Sequence, residues 1–207
     1  MSQSLSSLVK SANPKAFHDA VRTRLEQDRP VSLEAATFEE VTLTGFDFSD
    51  IDLTHAAFEN CTLSECRFVD TTLEGAFFDG TTLLHCHFEG GNLEGLAIDA
   101  STLGSCTFEQ VAVDDAEWTD SRLDDCILHG VKAQTWWMER VTFKGGKWRD
   151  VAIEGGSWSH VTLREMSIQE LNLEGVDIIH CYHVHTALPD GEWPGGFIEK
   201  SGRRKTL

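Results

Sequence analysis

Residues 71–95 read Thr71-Thr72-Leu73-Glu74-Gly75, Ala76-Phe77-Phe78-Asp79-Gly80, Thr81-Thr82-Leu83-Leu84-His85, Cys86-His87-Phe88-Glu89-Gly90 and Gly91-Asn92-Leu93-Glu94-Gly95. A bulky apolar residue stands at the centre of every group of five, and a small residue stands two places before it. Outward from this stretch the register holds without a break from Leu33 and Phe38 to Leu173 and Ile178. A period of five fits neither the 3.6-residue turn of a helix nor the two-residue alternation of a strand, so either element would rotate these side chains off any common face. The chain must therefore turn a corner every five residues, with the large centre and its small neighbour both directed inward.

Longer periods set how many pentads close one coil. Leu and Phe alternate at the centres over the first half of the chain, while Cys66, Cys86, Cys106 and Cys126 recur every twenty residues, as do Thr42, Thr62, Thr82 and Thr102. Four pentads per turn satisfy both observations. Like then stacks on like, with Phe on one pair of opposite walls and Leu on the other.

The order small, polar, Leu or Phe, variable, variable, seen in Thr71-Thr72-Leu73-Glu74-Gly75 and Gly91-Asn92-Leu93-Glu94-Gly95, resembles the pentapeptide-repeat family. The resemblance covers residues 31–180 and implies an all-β fold, a right-handed four-sided parallel β-helix. A stack of coils exposes an apolar end and unpaired backbone groups, so caps are expected at both termini. The expected organisation is a tail and capping helix over 1–30, the β-helix over 31–180, and an irregular cap with a basic tail over 181–207. For the helix, Asn13 supplies a cap, Pro14 suits the first turn, and Phe17, Val21 and Leu25 form an apolar stripe ending near Pro30. Leu188, Trp193, Phe197 and Ile198 are expected to cover the last coil, ahead of Arg203-Arg204-Lys205.

With 207 residues, 41% of them hydrophobic, the chain suffices for one continuous core. Met1 to Asn13 has no signal-peptide pattern, and no stretch approaches the roughly 18 apolar residues of a membrane span, so a cytoplasmic protein without membrane attachment is expected. All six cysteines, Cys61, Cys66, Cys86, Cys106, Cys126 and Cys181, occupy the inward small position and read as buried thiols. His180, Cys181, His183 and His185 form the one cluster with metal-ligand spacing, but Cys181 has the inward register, opposite His180 along an extended strand. No metal or other cofactor is expected. The Ser, His and Asp residues follow the repeat, no Gly-rich phosphate loop follows a strand, and a filled coil has no pocket of its own, so the chain reads as non-enzymatic.

Charge is the most informative remaining feature. Residues 31–130 carry 21 acidic side chains against Arg67 and Arg122, a net of −19, whereas residues 131–207 carry ten of each sign. Five coils would rise about 24 Å, giving roughly one negative charge per 1.3 Å against one per about 1.7 Å in duplex DNA. Glu34, Glu74, Glu94 and Asp114 fall in one outward column, and Glu39, Glu59, Asp79 and Asp99 in the adjacent one. Such a stripe either keeps the molecule soluble or imitates a phosphate backbone and enters a basic DNA-binding groove. The sign of the field disfavours direct nucleic-acid binding. Resemblance to the family implies the second role, because some members mimic B-DNA, bind DNA gyrase or topoisomerase IV, and protect them from quinolones. The unbroken register leaves no inserted loop of the kind several of those members carry.

Trp136, Trp137, Trp148 and Trp158 lie in sequence among Lys132, Arg140, Lys144, Lys147 and Arg149. Trp148 and Trp158 take centre positions and belong to the core, Trp136 takes a position that is normally small, and Trp137 takes an outward one. Trp137 is thus a candidate contact aromatic for a protein partner. Aromatic and basic residues together also suggest single-stranded nucleic acid, but Glu139, Asp150 and Glu154 interleave with them. The alternative to DNA mimicry is a rigid scaffold or adaptor in a bacterial assembly that docks its partner through the Trp-bearing half or the caps. The charge asymmetry also admits a homodimer or head-to-tail association.

Overall fold

In the computed structural model, residues 4–27, 29, 31–188 and 195–199 are described. Trp193 and the Arg203-Arg204-Lys205 run lie outside them. The chain winds into a right-handed, four-sided parallel β-helix of about eight turns, in which strands from Thr37 to Val184 pair with the residues twenty positions on. Wall 1 carries the centres Leu33 to Leu173, wall 2 Phe38 to Ile178, wall 3 Leu43 to His183, and wall 4 Phe48 to Ile168. Walls 2 and 3 are parallel sheets of eight and nine strands among the described residues.

Wall 1 differs for a local reason. The side chains of Ser32, Asp52, Asn92 and Asn172 each accept, at 3.0 Å, the backbone N–H two residues on. These side-chain turns take a donor from the ladder, and Ser32, Asp52 and Asn92 join their neighbours by single bridges through Thr72. At the corners, the residue two past a centre adopts positive φ, from Ala35 (52°) to His185 (47°). That left-handed conformation suits Gly, Asn and Asp, which recur at Asp50, Asn60, Asp70, Gly75 and Gly80. Each corner N–H reaches the next coil, as from Asn60 to the Asp79 carbonyl at 2.8 Å.

Inside, the alternation of centres becomes two columns of rings on opposite walls. Phe48, Phe68, Phe88 and Phe108 follow one another at 5.2, 4.7 and 4.7 Å. Phe38, Phe58 and Phe78 do so at 5.0 and 4.9 Å, and the columns meet edge to face, as between Phe68 and Phe78 at 6.4 Å. Each such pair adds about 0.5–1.5 kcal/mol beyond area burial.

The small inward position has its own chemistry. Thr81, Ser101 and Ser121 form a buried hydroxyl column in which Thr81 Oγ1 donates to the Phe58 carbonyl at 2.9 Å while Ser101 Oγ accepts from the Thr81 N–H at 2.9 Å. At the next corner Cys66, Cys86, Cys106 and Cys126 donate to Leu43, Leu63, Leu83 and Leu103 carbonyls at 3.5–3.7 Å. All six thiols are free and buried. The neighbouring Cys106 thiol first, and burial second, push Cys86 up to about 12.

Trp136 is fully buried in a column that elsewhere holds Ala36, Ala56, Ala76, Leu96 and Ala116. Ala116 lies beneath it, and a Cβ on Gly156 above would meet the Trp136 carbonyl oxygen at 2.4 Å. Glycine is required there, and the adjacent corners at Thr135 and Gly155 lack positive φ. Trp118 and Trp158 pack edge-on against Trp136 at 4.7 and 6.4 Å. The indole N–H groups of Trp118, Trp136, Trp148 and Trp158 find no hydrogen-bond acceptor, so each withholds about 1–3 kcal/mol from the stability its burial brings.

Two helices close the first coil. Asn13 caps the second helix, α2 (Pro14–Glu26), accepting from the Ala16 N–H at 3.0 Å. Phe17 is sealed against Phe46 and Phe48, 5.4 Å from each ring, and His18 Nε2 accepts the Asp47 N–H at 2.8 Å. Leu25 departs from the expected stripe at 56% exposed. Its place is taken by Leu5, Leu8 and Val9 of the first helix, α1 (Leu5–Lys10). At the other end the backbone register continues through Cys181–Val184, and Phe197–Glu199 adds the last strand of wall 3. Leu188 and Phe197 pack on the core, whereas Ile198 is exposed.

Candidate protein-interaction surface

On wall 2 the register sets Glu39 beside Glu59, Glu59 beside Asp79 and Asp79 beside Asp99, one coil apart at each step. On wall 1 the carbonyls of Glu74, Glu94 and Asp114 accept the corner N–H groups of His55, Gly75 and Gly95, which aligns their side chains into a parallel column with Glu34 at its foot and Thr54 interposed. The corner between the walls is built from Ala35, His55, Gly75, Gly95 and Asp115. Two carboxylate columns therefore flank one edge of the solenoid. Glu34, Glu39, Glu74, Asp79, Glu94 and Asp99 are exposed, and Glu59 and Asp114 half-buried.

Walls 1 and 2 contribute no cation of their own to this edge over its first five coils. Over residues 32–40, 52–60, 72–80, 92–100 and 112–120, walls 1 and 2 hold 13 acidic residues and no Lys or Arg. Among the described residues none of the eight column carboxylates enters an ion pair, since the nearby pairs are Arg122–Asp124 on wall 3, His87–Glu89 and His129–Glu109 on wall 4, and Arg140–Asp120 at the far corner of wall 2. The Arg140 guanidinium holds the Asp120 carboxyl below the usual range. At Asp52, burial opposes ionisation but is outweighed by hydrogen bonds from Thr54 and Ser32, and its carboxyl also lies low. Asn92 Nδ2 donates to Glu74 Oε2 at 3.2 Å, and Thr119 Oγ1 donates to Asp99.

The basic residues that surround the tryptophans in sequence are dispersed by the coil. Lys132 lies on wall 1, Lys144 on wall 3, and Lys147 and Arg149 on wall 4. Trp137 does face outward, on wall 2, but its strand neighbour is Glu117 and not a cation. Sequence proximity misplaces such contacts because consecutive pentads face four directions. His180 and His185 are exposed, Cys181 is buried and His183 half-buried at a centre position. Among the described residues no group of three or more His, Cys, Asp or Glu side chains is placed to hold a metal ion, and no helix is long and apolar enough to cross a membrane.

The family model described as a pentapeptide repeat region matches residues 31–105. No curated protein matches the sequence. Among solved structures, a trypsin-treated form of QnrB1, described as a plasmid-mediated fluoroquinolone resistance protein, is similar at a TM-score of 0.50 and 15% identity, over 80% of this chain and 92% of its own. HetL, a pentapeptide repeat protein involved in heterocyst differentiation regulation from the cyanobacterium Nostoc sp. strain PCC 7120, has a TM-score of 0.41 and 14% identity, over 83% and 97%. Residues 31–105 are thus a pentapeptide repeat region, and the same five-residue register, four walls and twenty-residue coil continue beyond it to Ile178.

Proposed function

We propose that the chain is a non-catalytic binding protein whose acidic edge imitates a stretch of DNA and engages a DNA-binding protein, a type II topoisomerase such as gyrase being the foremost candidate. The observation that carries the reading is the pair of carboxylate columns without an internal counter-charge. Columns of like charge about 4.8 Å apart weaken the fold that holds them, and a solubilising surface has no need to align them on two adjacent walls with the cations elsewhere. A basic groove evolved for phosphates would gain from them in steering and in contact. The description of QnrB1 as a fluoroquinolone resistance protein is compatible with this target.

The test is binding of the purified chain to gyrase, with a short DNA duplex as competitor. Mutually exclusive binding that weakens steeply with salt is expected. Simultaneous binding of duplex and chain, or affinity indifferent to salt, would instead favour an adaptor that docks through the Trp-bearing half or the caps.

A further inference from the structure

Trp137 stands apart from the sealed tryptophans of the core, with 41% of its surface exposed. It lies in a shallow groove of about 610 Å³ on wall 2, whose rim includes Glu117, Glu139, Ser157 and Ser159. The register fixes these neighbours. Glu117 is directly across from Trp137 on the preceding coil, and Glu139 is two residues along the same strand and therefore on the same face. The following coil presents only Ser157 and Ser159, short side chains that leave the ring uncovered. Cross-strand and same-face neighbours of this kind lie about 5–8 Å apart, so both carboxylates reach the perimeter of the indole. Among the described residues no cation pairs with Glu117, while Glu139 meets Arg140 at the corner.

An indole face bounded by carboxylates suits a cation on an apolar stem. The ring attracts positive charge through its quadrupole, and the carboxylates accept hydrogen bonds from a planar guanidinium lying on it. We propose that the Trp137 groove anchors an arginine side chain from an extended basic segment of a protein partner, with Glu117 and Glu139 as the flanking acceptors. The partner's class follows from charge. A nucleobase could stack on the same ring, but its phosphates would meet Glu117, Glu139 and, on the same wall, Asp99 and Asp79. The inference rests on the protein-binding reading above, and it holds whichever basic protein supplies the segment.

The test uses the full chain and a synthetic peptide of alternating arginine and glycine, titrated calorimetrically beside the same peptide with citrulline in place of arginine. Trp137→Ala is expected to weaken the arginine peptide about tenfold, and Glu117→Gln with Glu139→Gln to weaken it to a similar extent. Trp137→Phe should recover most of the affinity, and the citrulline peptide should not distinguish wild type from Trp137→Ala. Trp137 lies outside the hydrophobic core cluster, so the variants should remain folded, with melting temperatures within about 4 °C of the wild type. Equal affinity of wild type and Trp137→Ala for the arginine peptide would overturn the proposal, as would absence of binding at millimolar peptide or preferential binding of oligothymidylate. Failure of the topoisomerase reading is distinguishable, because it appears as wild-type chain that does not bind gyrase while still holding the peptide through Trp137.

Discussion

Asp79 occupies the interior of the wall 2 ladder, with Glu59 on one side and Asp99 on the other. Among the described residues its carboxylate has no ion-pair partner, so Asp79→Asn removes repulsion and breaks no salt bridge. Two unit charges about 5 Å apart in a water-like medium repel by about 0.8 kcal/mol, and screening at 0.15 M salt reduces this to about 0.4 kcal/mol. Two such neighbours, with Glu39 about 10 Å away, give about 1 kcal/mol at 0.15 M, about 1.7 kcal/mol at 0.01 M and about 0.3 kcal/mol at 1 M. For a chain of this size each kcal/mol moves the melting temperature by about 2–4 °C. The neutral variant should therefore melt about 2–4 °C higher at 0.15 M, about 3–7 °C higher at 0.01 M, and within about 1 °C of wild type at 1 M. Scanning calorimetry over a salt series measures this directly. A lower melting temperature, or a gain independent of salt, would refute the reasoning. The same variant should bind a basic partner more weakly, and this opposition between stability and affinity separates a working surface from a merely solubilising one.

Three further outcomes follow from the packing. Gly156→Ala places a methyl group 2.4 Å from the Trp136 carbonyl oxygen at a φ of +105° and should destabilise by about 3 kcal/mol, while Gly155→Ala, whose added carbon would lie 3.0 Å from the Gln134 carbonyl oxygen at an ordinary φ, should fall well short of that in denaturant titration. Phe17→Ala empties the space against Phe46 and Phe48 and should lose about 3–5 kcal/mol, with α1 and α2 becoming the first sites of limited proteolysis. Cys86 and Cys106 are each pushed up to about 12, by the adjoining thiol first and by burial second, from an ordinary 9.0. Because the fold favours the neutral thiol, their contribution is intact below pH 9 and declines between pH 9 and 12. Paired Cys86→Ala and Cys106→Ala should flatten that part of the melting-temperature profile relative to wild type, and an unchanged slope would contradict it.

Much of the architecture is legible from residue spacing because one physical constraint repeats. Most centres are large, most positions two before them small, and nearly all corners left-handed, so Leu73, Ala76 and Gly75 announce their places without any tertiary information. The phase of twenty residues then gives the walls, and with them the two carboxylate columns. Features that depend on contact between distant segments were less visible. Helix α1 is six residues long and has too short a period to register, and only the docked structure shows that Leu8 and Val9, not Leu25, cover the first coil. His183 interrupts the apolar pattern while the backbone keeps its register through Val184, because the hydrogen-bond ladder does not depend on the side chain at the centre. Trp137 was identifiable as outward from its phase, but its acidic surroundings require knowing that Glu117, twenty residues earlier, is its neighbour.

The central claim, that the acidic edge occupies a DNA-binding site, is tested most directly by a gyrase supercoiling assay with the purified chain, with and without a fluoroquinolone, across a salt series. The account predicts inhibition or rescue that fades with added salt and is abolished when Glu74→Lys, Asp79→Lys, Glu94→Lys and Asp99→Lys are combined in a variant that remains folded. An effect that persists unchanged after this reversal, or no effect on supercoiling at tens of micromolar chain, would contradict it.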